Sequence, residues 1–161
     1  FSDGSLSKNK PTLAKKIQSF IKNIKPSIII TFGPGGITGH SDHIGVSHAT
    51  NIAYEDEKNT ALLLNVAINQ QRAQQFAQAF TKFGIDKYIP KEQVEYNSTI
   101  KIDVNKVEQQ RKASPAAHQT QFPQAALNAW DLFVSNSPYE EFVVVKNNNQ
   151  VTKYLEKMGL H

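Results

Sequence analysis

The six residues from Ser27 to Phe32, with Ile28-Ile29-Ile30 in direct succession, constrain this chain more than any other stretch. They do not alternate with polar residues. An unbroken β-branched run suits a strand buried on both faces, as in a parallel sheet. Just upstream, Leu13, Ile17, Phe20, Ile21 and Ile24 recur at helical spacing. Pro11 suits the first position of that helix, and Pro26 ends it. A helix feeding a fully buried strand is half of a doubly wound α/β unit.

The remainder continues the alternation. Ala61–Ala67 reads as a second strand, and Gln70–Phe83 as a helix with Ala73, Phe76, Ala77 and Phe80 inward and Gly84 as its stop. Thr99–Asp103 is expected as a short strand and Asn105–Lys112 as a short helix. Pro123 opens a last helix that places Ala126, Leu127, Trp130 and Phe133 on one face, and Phe142–Val145 forms a final strand. The expected fold is α/β, a doubly wound and mostly parallel sheet, with residues 1–161 in a single domain. No strand precedes the first helix, although the first strand of such a sheet usually lies at its centre. The sequence therefore reads as a sheet entered partway, its N-terminal strand or strands missing.

Composition removes several functions. Eighteen basic residues against 14 acidic ones leave a small, dispersed surplus, which describes a solvated surface and argues against a nucleic-acid partner. No apolar run is long enough to cross a membrane. The chain has no cysteine, so disulfides and thiolate metal sites are excluded, and any metal must be held by His, Asp or Glu. Asn97-Ser98-Thr99 matches a glycosylation acceptor, which matters only in a secreted eukaryotic chain. No signal peptide is visible, and a cytoplasmic setting is expected over a secreted one, although the chain starts at Phe1 and not at Met.

The chemistry concentrates in Thr31-Phe32-Gly33-Pro34-Gly35-Gly36-Ile37-Thr38-Gly39-His40-Ser41-Asp42-His43. In open α/β sheets ligands bind outside the carboxyl ends of the strands, which is where this loop sits. His40 and His43 are three apart, so one helical turn lets both imidazoles face one side. Neutral imidazole is a zinc ligand, and a carboxylate such as Asp42 can orient it through its second nitrogen. A plainer alternative is a turn, or an anion site built from backbone N–H groups at the following helix. His48 is read as surface or structural, Trp130 and the phenylalanines as core, and the two arginines, Arg72 and Arg111, as lacking the company of a carboxylate or phosphate clamp. His161 has no reading.

The same segment resembles the second signature of LmbE/PIG-L N-acetylglucosaminyl deacetylases, Thr-Phe-Gly-Pro-Asp-Gly, a short gap, then Gly-His-Pro-Asp-His. Gly35 stands where that family often has Asp, and Ser41 where it usually has Pro. Asp3-Gly4-Ser5-Leu6, Ala117-His118-Gln119-Thr120-Gln121 and Tyr139-Glu140-Glu141-Phe142 are similar to weaker family motifs, in the family's order. The resemblance implies a Rossmann-like zinc hydrolase that removes the acetyl group of an N-acetylglucosamine-type substrate. It implies His43 as the Zn2+ ligand, His40 as electrophilic or acid partner, and Asp42 as the residue orienting an imidazole. Asp3 and His118 would contact the sugar. The family's remaining ligands lie in an early His-Pro-Asp-Asp motif, which these residues lack. The expected partners are thus an N-acetylated sugar or glycoconjugate and either further copies or a complementing N-terminal segment, the fragment alone being inactive. The rival reading is a non-catalytic sugar- or partner-binding domain of the same fold.

Overall fold

The structure, a computed structural model, describes residues 1–56, 61–90, 98, 100–118, 120–146, 153 and 155–157. Asn97 and Thr99 of the acceptor triplet, Gln119, the asparagines at 147–149 and His161 lie outside the described residues. A 3-10 turn at Leu6–Lys8 leads into helix α1 (Lys10–Ile24), with Pro11 in its first turn. Strand β1 (Ile28–Phe32), helix α2 (Ser41–Asp56), strand β2 (Leu62–Ala67) and helix α3 (Gln70–Lys82) follow. Then come β3 (Ile100–Asp103), α4 (Glu108–Ala113), α5 (Gln124–Ser135) and β4 (Tyr139–Lys146).

The strands form one sheet in the order β1-β2-β4-β3. β1 and β2 run parallel, Ile28 opposite Leu62 through Phe32 opposite Val66, while β4 is antiparallel to both β2 and β3. The α/β class stands, and the sheet is mixed. Its parallel pair is the one from which the glycine-rich loop emerges.

Period-two alternation divides the apolar strand residues between the two faces. Leu62 and Leu64 pack with Ile100 and Phe142 on one side, and Leu63 with Tyr54 and Ala61 on the other. Helices α3 and α5 build a separate cluster around Ala79, Phe80, Ala129, Phe133 and Val134. The two alanines let the helix axes approach, and Phe76 stacks on Phe80 at 4.0 Å and meets Phe133 edge-on at 5.4 Å. Each large side chain buried there contributes about 1.5–3 kcal/mol. Trp130 belongs to the same cluster, its indole N–H donating to the Arg111 carbonyl.

Two expectations are corrected on the outer side of β1. It is the terminal strand, and Ile30 is 56% exposed where burial on both faces was expected. On α1, Ala14 and Ile21 are buried, yet Phe20 and Ile24 are 65% and 68% exposed. Among the described residues β1 has no neighbour on its outer edge, and α1 packs on α2 and the Leu6–Lys8 turn, which leaves Phe20 and Ile24 in solvent.

α2 presses tightly against the Leu6–Lys8 turn. A Cβ on Gly45 would lie 2.7 Å from the Ser7 nitrogen and 2.8 Å from the Leu6 carbonyl carbon, both backbone atoms that cannot swing aside. Gly45→Ala is therefore expected to push the turn off α2 and lower stability by about 1–3 kcal/mol. Urea denaturation would register this as a lower midpoint, and an unchanged midpoint would contradict it.

Candidate active site

After Phe32 the chain reverses through a tight loop. Gly36 N–H donates to the Gly33 carbonyl at 2.9 Å and Gly39 N–H to that of Gly35 at 3.1 Å. Gly36 (φ 64°) and Ile37 (φ 60°) are consecutive left-handed residues. That conformation suits glycine, but for β-branched Ile37 it is strained, at a cost of about 1–3 kcal/mol. The reversal leaves the Gly36 carbonyl facing the first turn of α2, where His43 stands.

His43 is held on three sides. Its ring stacks on Phe32 with centroids 4.0 Å apart and planes 5° from parallel. Its Nδ1 lies 3.0 Å from the Gly36 carbonyl oxygen and 3.3 Å from Thr38 Oγ1. A carbonyl can only accept, so this bond requires the proton on Nδ1 and leaves Nε2 with a free lone pair. His40 is arranged the opposite way. Its Nδ1 accepts the Asp42 backbone N–H at 3.2 Å, so a neutral ring carries its proton on Nε2. The two rings are 5.0 Å apart, His43 half-buried and His40 exposed. One imidazole thus offers a lone pair and its neighbour a proton, at the carboxyl end of a parallel strand.

Asp42 does not orient either imidazole through its carboxylate. Its Oδ2 accepts the Gly4 N–H at 2.7 Å and its Oδ1 the Leu6 N–H at 2.9 Å, and the residue is buried. The group that fixes the His43 ring is the Gly36 carbonyl instead. Asp42 ties the Asp3–Leu6 turn to the start of α2, because backbone N–H groups in a turn offer donors that both carboxylate oxygens can satisfy. Asp42→Ala leaves those two donors unpaired and is expected to destabilise the chain by about 1–3 kcal/mol. Faster amide exchange at Gly4 and Leu6 would accompany the loss, and unchanged protection there would count against this account.

The other expected residues stand apart. Asp3 is exposed in the turn that Asp42 holds. His118 follows the 3-10 turn Ser114–Ala117, exposed, with its ring 6.5 Å from Phe122. Among the described residues no hydrogen bond or ring contact joins it to His40 or His43. His48 is exposed on α2, in keeping with a surface residue. Phe32 and Thr38, which hold His43, carried no signal of that role, since a stack and a loop hydroxyl become visible only once the chain reverses.

The two arginines also find company that the sequence reading denied them. Arg72 donates through Nε to Ser137 Oγ at 2.7 Å and through Nη2 to Glu140 at 3.3 Å, and its Nη1 lies 3.5 Å from Glu141. Arg111 donates to Glu140 through Nε and Nη2 and to the Ser137 carbonyl through Nη1. Glu141 is 1% exposed and accepts from the backbone and side chain of Asn69, while Asn69 in turn caps α3 by accepting the Arg72 N–H. Burial by itself would raise the Glu141 carboxyl. The Asn69 donors, Lys101 and Arg72 outweigh it and hold the group below the usual carboxylate range. Glu141 pairs with Ala67 at the carboxyl end of β2, so this network braces the same end of the sheet as the histidine loop.

Among the described residues no group of three or more His, Asp or Glu is placed to hold a metal ion. Comparison with protein families bears on the segment that carries both histidines. Residues 1–54 match the family model of PIG-L, GlcNAc-PI de-N-acetylase. Over these residues the chain is similar to the PIG-L family. The matched PIG-L span runs from the Asp3 turn through α1, β1 and the loop to Tyr54 in α2. It includes Asp3, His40, Asp42 and His43, and it leaves out His118 and the Arg72–Glu141 network. Comparison with curated proteins and with solved structures returns no match. At family level PIG-L denotes N-deacetylation of GlcNAc-type substrates. No described helix is long and apolar enough to cross a membrane.

Proposed function

We propose that this chain serves in zinc-dependent hydrolysis of the acetamide of an N-acetylglucosamine-type substrate, with further metal donors supplied by a polypeptide segment outside the described residues. The observation that carries the reading is the opposed arrangement of two adjacent imidazoles. His43, with Nδ1–H committed to the Gly36 carbonyl, has Nε2 free as a ligand, and a backbone carbonyl is a usual second partner of a metal-bound histidine. His40, with Nδ1 occupied by the Asp42 N–H, presents Nε2–H outward. In amide hydrolysis water adds to the carbonyl carbon, the oxygen becomes an oxyanion, and the amine leaves with an added proton as acetate is released. An outward N–H can hydrogen-bond that oxyanion and then give its proton to the departing nitrogen.

Among the described residues the donor set falls short of a zinc site, since catalytic zinc takes about three protein ligands. This shortfall favours one rival, a non-catalytic sugar- or partner-binding domain. Metal analysis and deacetylase assay of the full gene product separate the two. Chelation is expected to abolish acetate release and added zinc to restore it. His43→Ala should lose the metal, whereas His40→Ala should keep it and lose roughly 10²–10⁴-fold in turnover. Full activity in a metal-free His43→Ala enzyme would end the reading, and a full gene product with neither metal nor activity would establish the rival.

A further inference from the structure

We infer that the carboxamide of Asn65 and the Thr31–Thr50 hydroxyl pair build a site for one resident water between α2 and the parallel strands, beneath the histidine loop.

Among the described residues two buried side-chain polar atoms have no hydrogen-bond partner, Asn65 Oδ1 and Arg72 Nη1. Charge answers the second, which lies 3.5 Å from the Glu141 carboxylate. The first belongs to a neutral amide on β2, 6% exposed, whose register partners are Thr31 on β1 and Val143 on β4. Leu63 and Ala67, on the same side of β2, are apolar and buried. Valine or leucine would fill such a position without stranding an acceptor. A buried acceptor left unpaired carries the cost of its lost hydration, so a carboxamide here calls for a donor within reach.

Register partners point to one side of a sheet, so Asn65 shares its face with Thr31. Thr31 meets α2 on that face, its hydroxyl oxygen 3.3 Å from that of Thr50, and both threonines are buried. Hydroxyl pairs ordinarily close to about 2.5–3.0 Å, so this one is loosely made and each oxygen can bond further. Along α2, His43, Ser47, Thr50 and Tyr54 follow on successive turns of one ridge. Tyr54 closes the far end, packing with Leu63 and donating to the Ala61 carbonyl at 2.7 Å. His43 closes the near end by stacking on Phe32. Between them stand four buried polar residues, Ser47 and Thr50 on the helix and Thr31 and Asn65 on the sheet.

Water suits this group chemically. It donates to Asn65 Oδ1 and to one threonine oxygen and accepts the hydroxyl of the other, about three bonds, as buried waters usually make. A cation would meet only neutral oxygens on Asn65, Thr31 and Thr50. The Asp42 carboxylate, on the same helix, is committed to the Gly4 and Leu6 amides, and a buried charge without a counter-charge is far costlier than a buried dipole. The water joins β1, which supplies Phe32, to β2 and to α2, which supplies His43.

Oxygen-17 relaxation dispersion of the solvent counts waters held inside a protein for longer than it tumbles. The full gene product should hold about one such water more than its near-isosteric Asn65→Leu variant, while Asn128→Ala, at an exposed position of α5, should match the parent. An equal count in Asn65→Leu, with its circular dichroism unchanged, would overturn the inference. A crystal structure of the parent decides the matter if that variant does not fold. A solvent oxygen within about 3.2 Å of Asn65 Oδ1 and of a Thr31 or Thr50 hydroxyl supports the site. Empty density there, or a protein donor bonded directly to Asn65 Oδ1, would overturn it. So would stabilisation by sodium or potassium over tetramethylammonium at fixed ionic strength that Asn65→Leu abolishes, since that marks a cation. No zinc or acetylated substrate enters these measurements, so their failure would leave the deacetylase reading to the zinc experiment.

Discussion

Replacing Glu141 with alanine is expected to lower the unfolding free energy by about 3–5 kcal/mol, the loss seen when one partner of a buried ion pair is removed. The carboxylate is 1% exposed and collects the backbone and side-chain N–H groups of Asn69, with Lys101 at 3.2 Å and Arg72 at 3.5 Å. Deletion leaves the part-buried Asn69 donors and the buried Arg72 guanidinium without this acceptor, and it frees Asn69, the residue that caps α3. Total stability of a domain is only about 5–15 kcal/mol, so the loss is a large fraction of it. Urea titration followed by circular dichroism measures the loss. A midpoint like the parent's would show that the network adds nothing.

The same carboxyl makes stability fall in acid. Its folded value is depressed, so its contribution is complete above the unfolded value of about 4.3 and disappears as pH falls through the lower folded value. Glu141→Gln keeps the shape and an acceptor for Asn69 but cannot titrate. Its stability should be lower at neutral pH and flatter below about pH 4.3 than the parent's.

Gly36→Ala is expected to dismantle the His43 arrangement. The residue has φ 64°, and an added Cβ would lie 2.9 Å from the His43 Cβ and 3.1 Å from the Ile44 nitrogen. Backbone strain and the clash act together: the first costs about 1 kcal/mol, and the second must move either the carbonyl or the imidazole it holds. Gly39→Ala is the control. Its φ is 71°, but nothing lies within 4 Å of the added methyl, so it carries the strain without the displacement. Nitrogen-15 shifts of the imidazoles report the tautomer directly. His43 should keep its proton on Nδ1 in Gly39→Ala and become a mixture in Gly36→Ala. In the full gene product Gly36→Ala should lose metal nearly as completely as His43→Ala. Retained metal with an unmixed tautomer would show that the Gly36 contact is dispensable.

The elements were legible because they rest on local pattern. Helical spacing between Pro11 and Pro26 marked α1, the isoleucine run marked β1, and Pro123 marked the start of α5. The histidine pair was legible as well, because three-residue spacing at a helix start brings two rings together whatever the rest of the chain does. The Arg72–Glu140–Arg111 cluster was not, since Arg111 and Arg72 are 29 and 68 residues from Glu140 in sequence and meet it only once β4 pairs with β2 and β3. One signal existed, for Glu141 shares its strand face with the apolar Val143 and Val145, which already implies a buried carboxylate in need of donors.

The sequence by itself settled the α/β class, the position of the loop after a parallel strand and the juxtaposition of His40 with His43, all set by short-range periodicity and φ/ψ preference. Tertiary structure alone decided which atom each side chain would meet. It sent the Asp42 carboxylate to the Gly4 and Leu6 amides, gave His43 the Gly36 carbonyl, and left Ile30, Phe20 and Ile24 in water. A hydrogen bond needs its partner within about 3 Å at a suitable angle, and burial needs a neighbour on the far side. Neither condition is written in spacing along the chain, because both depend on segments that folding brings together from a distance.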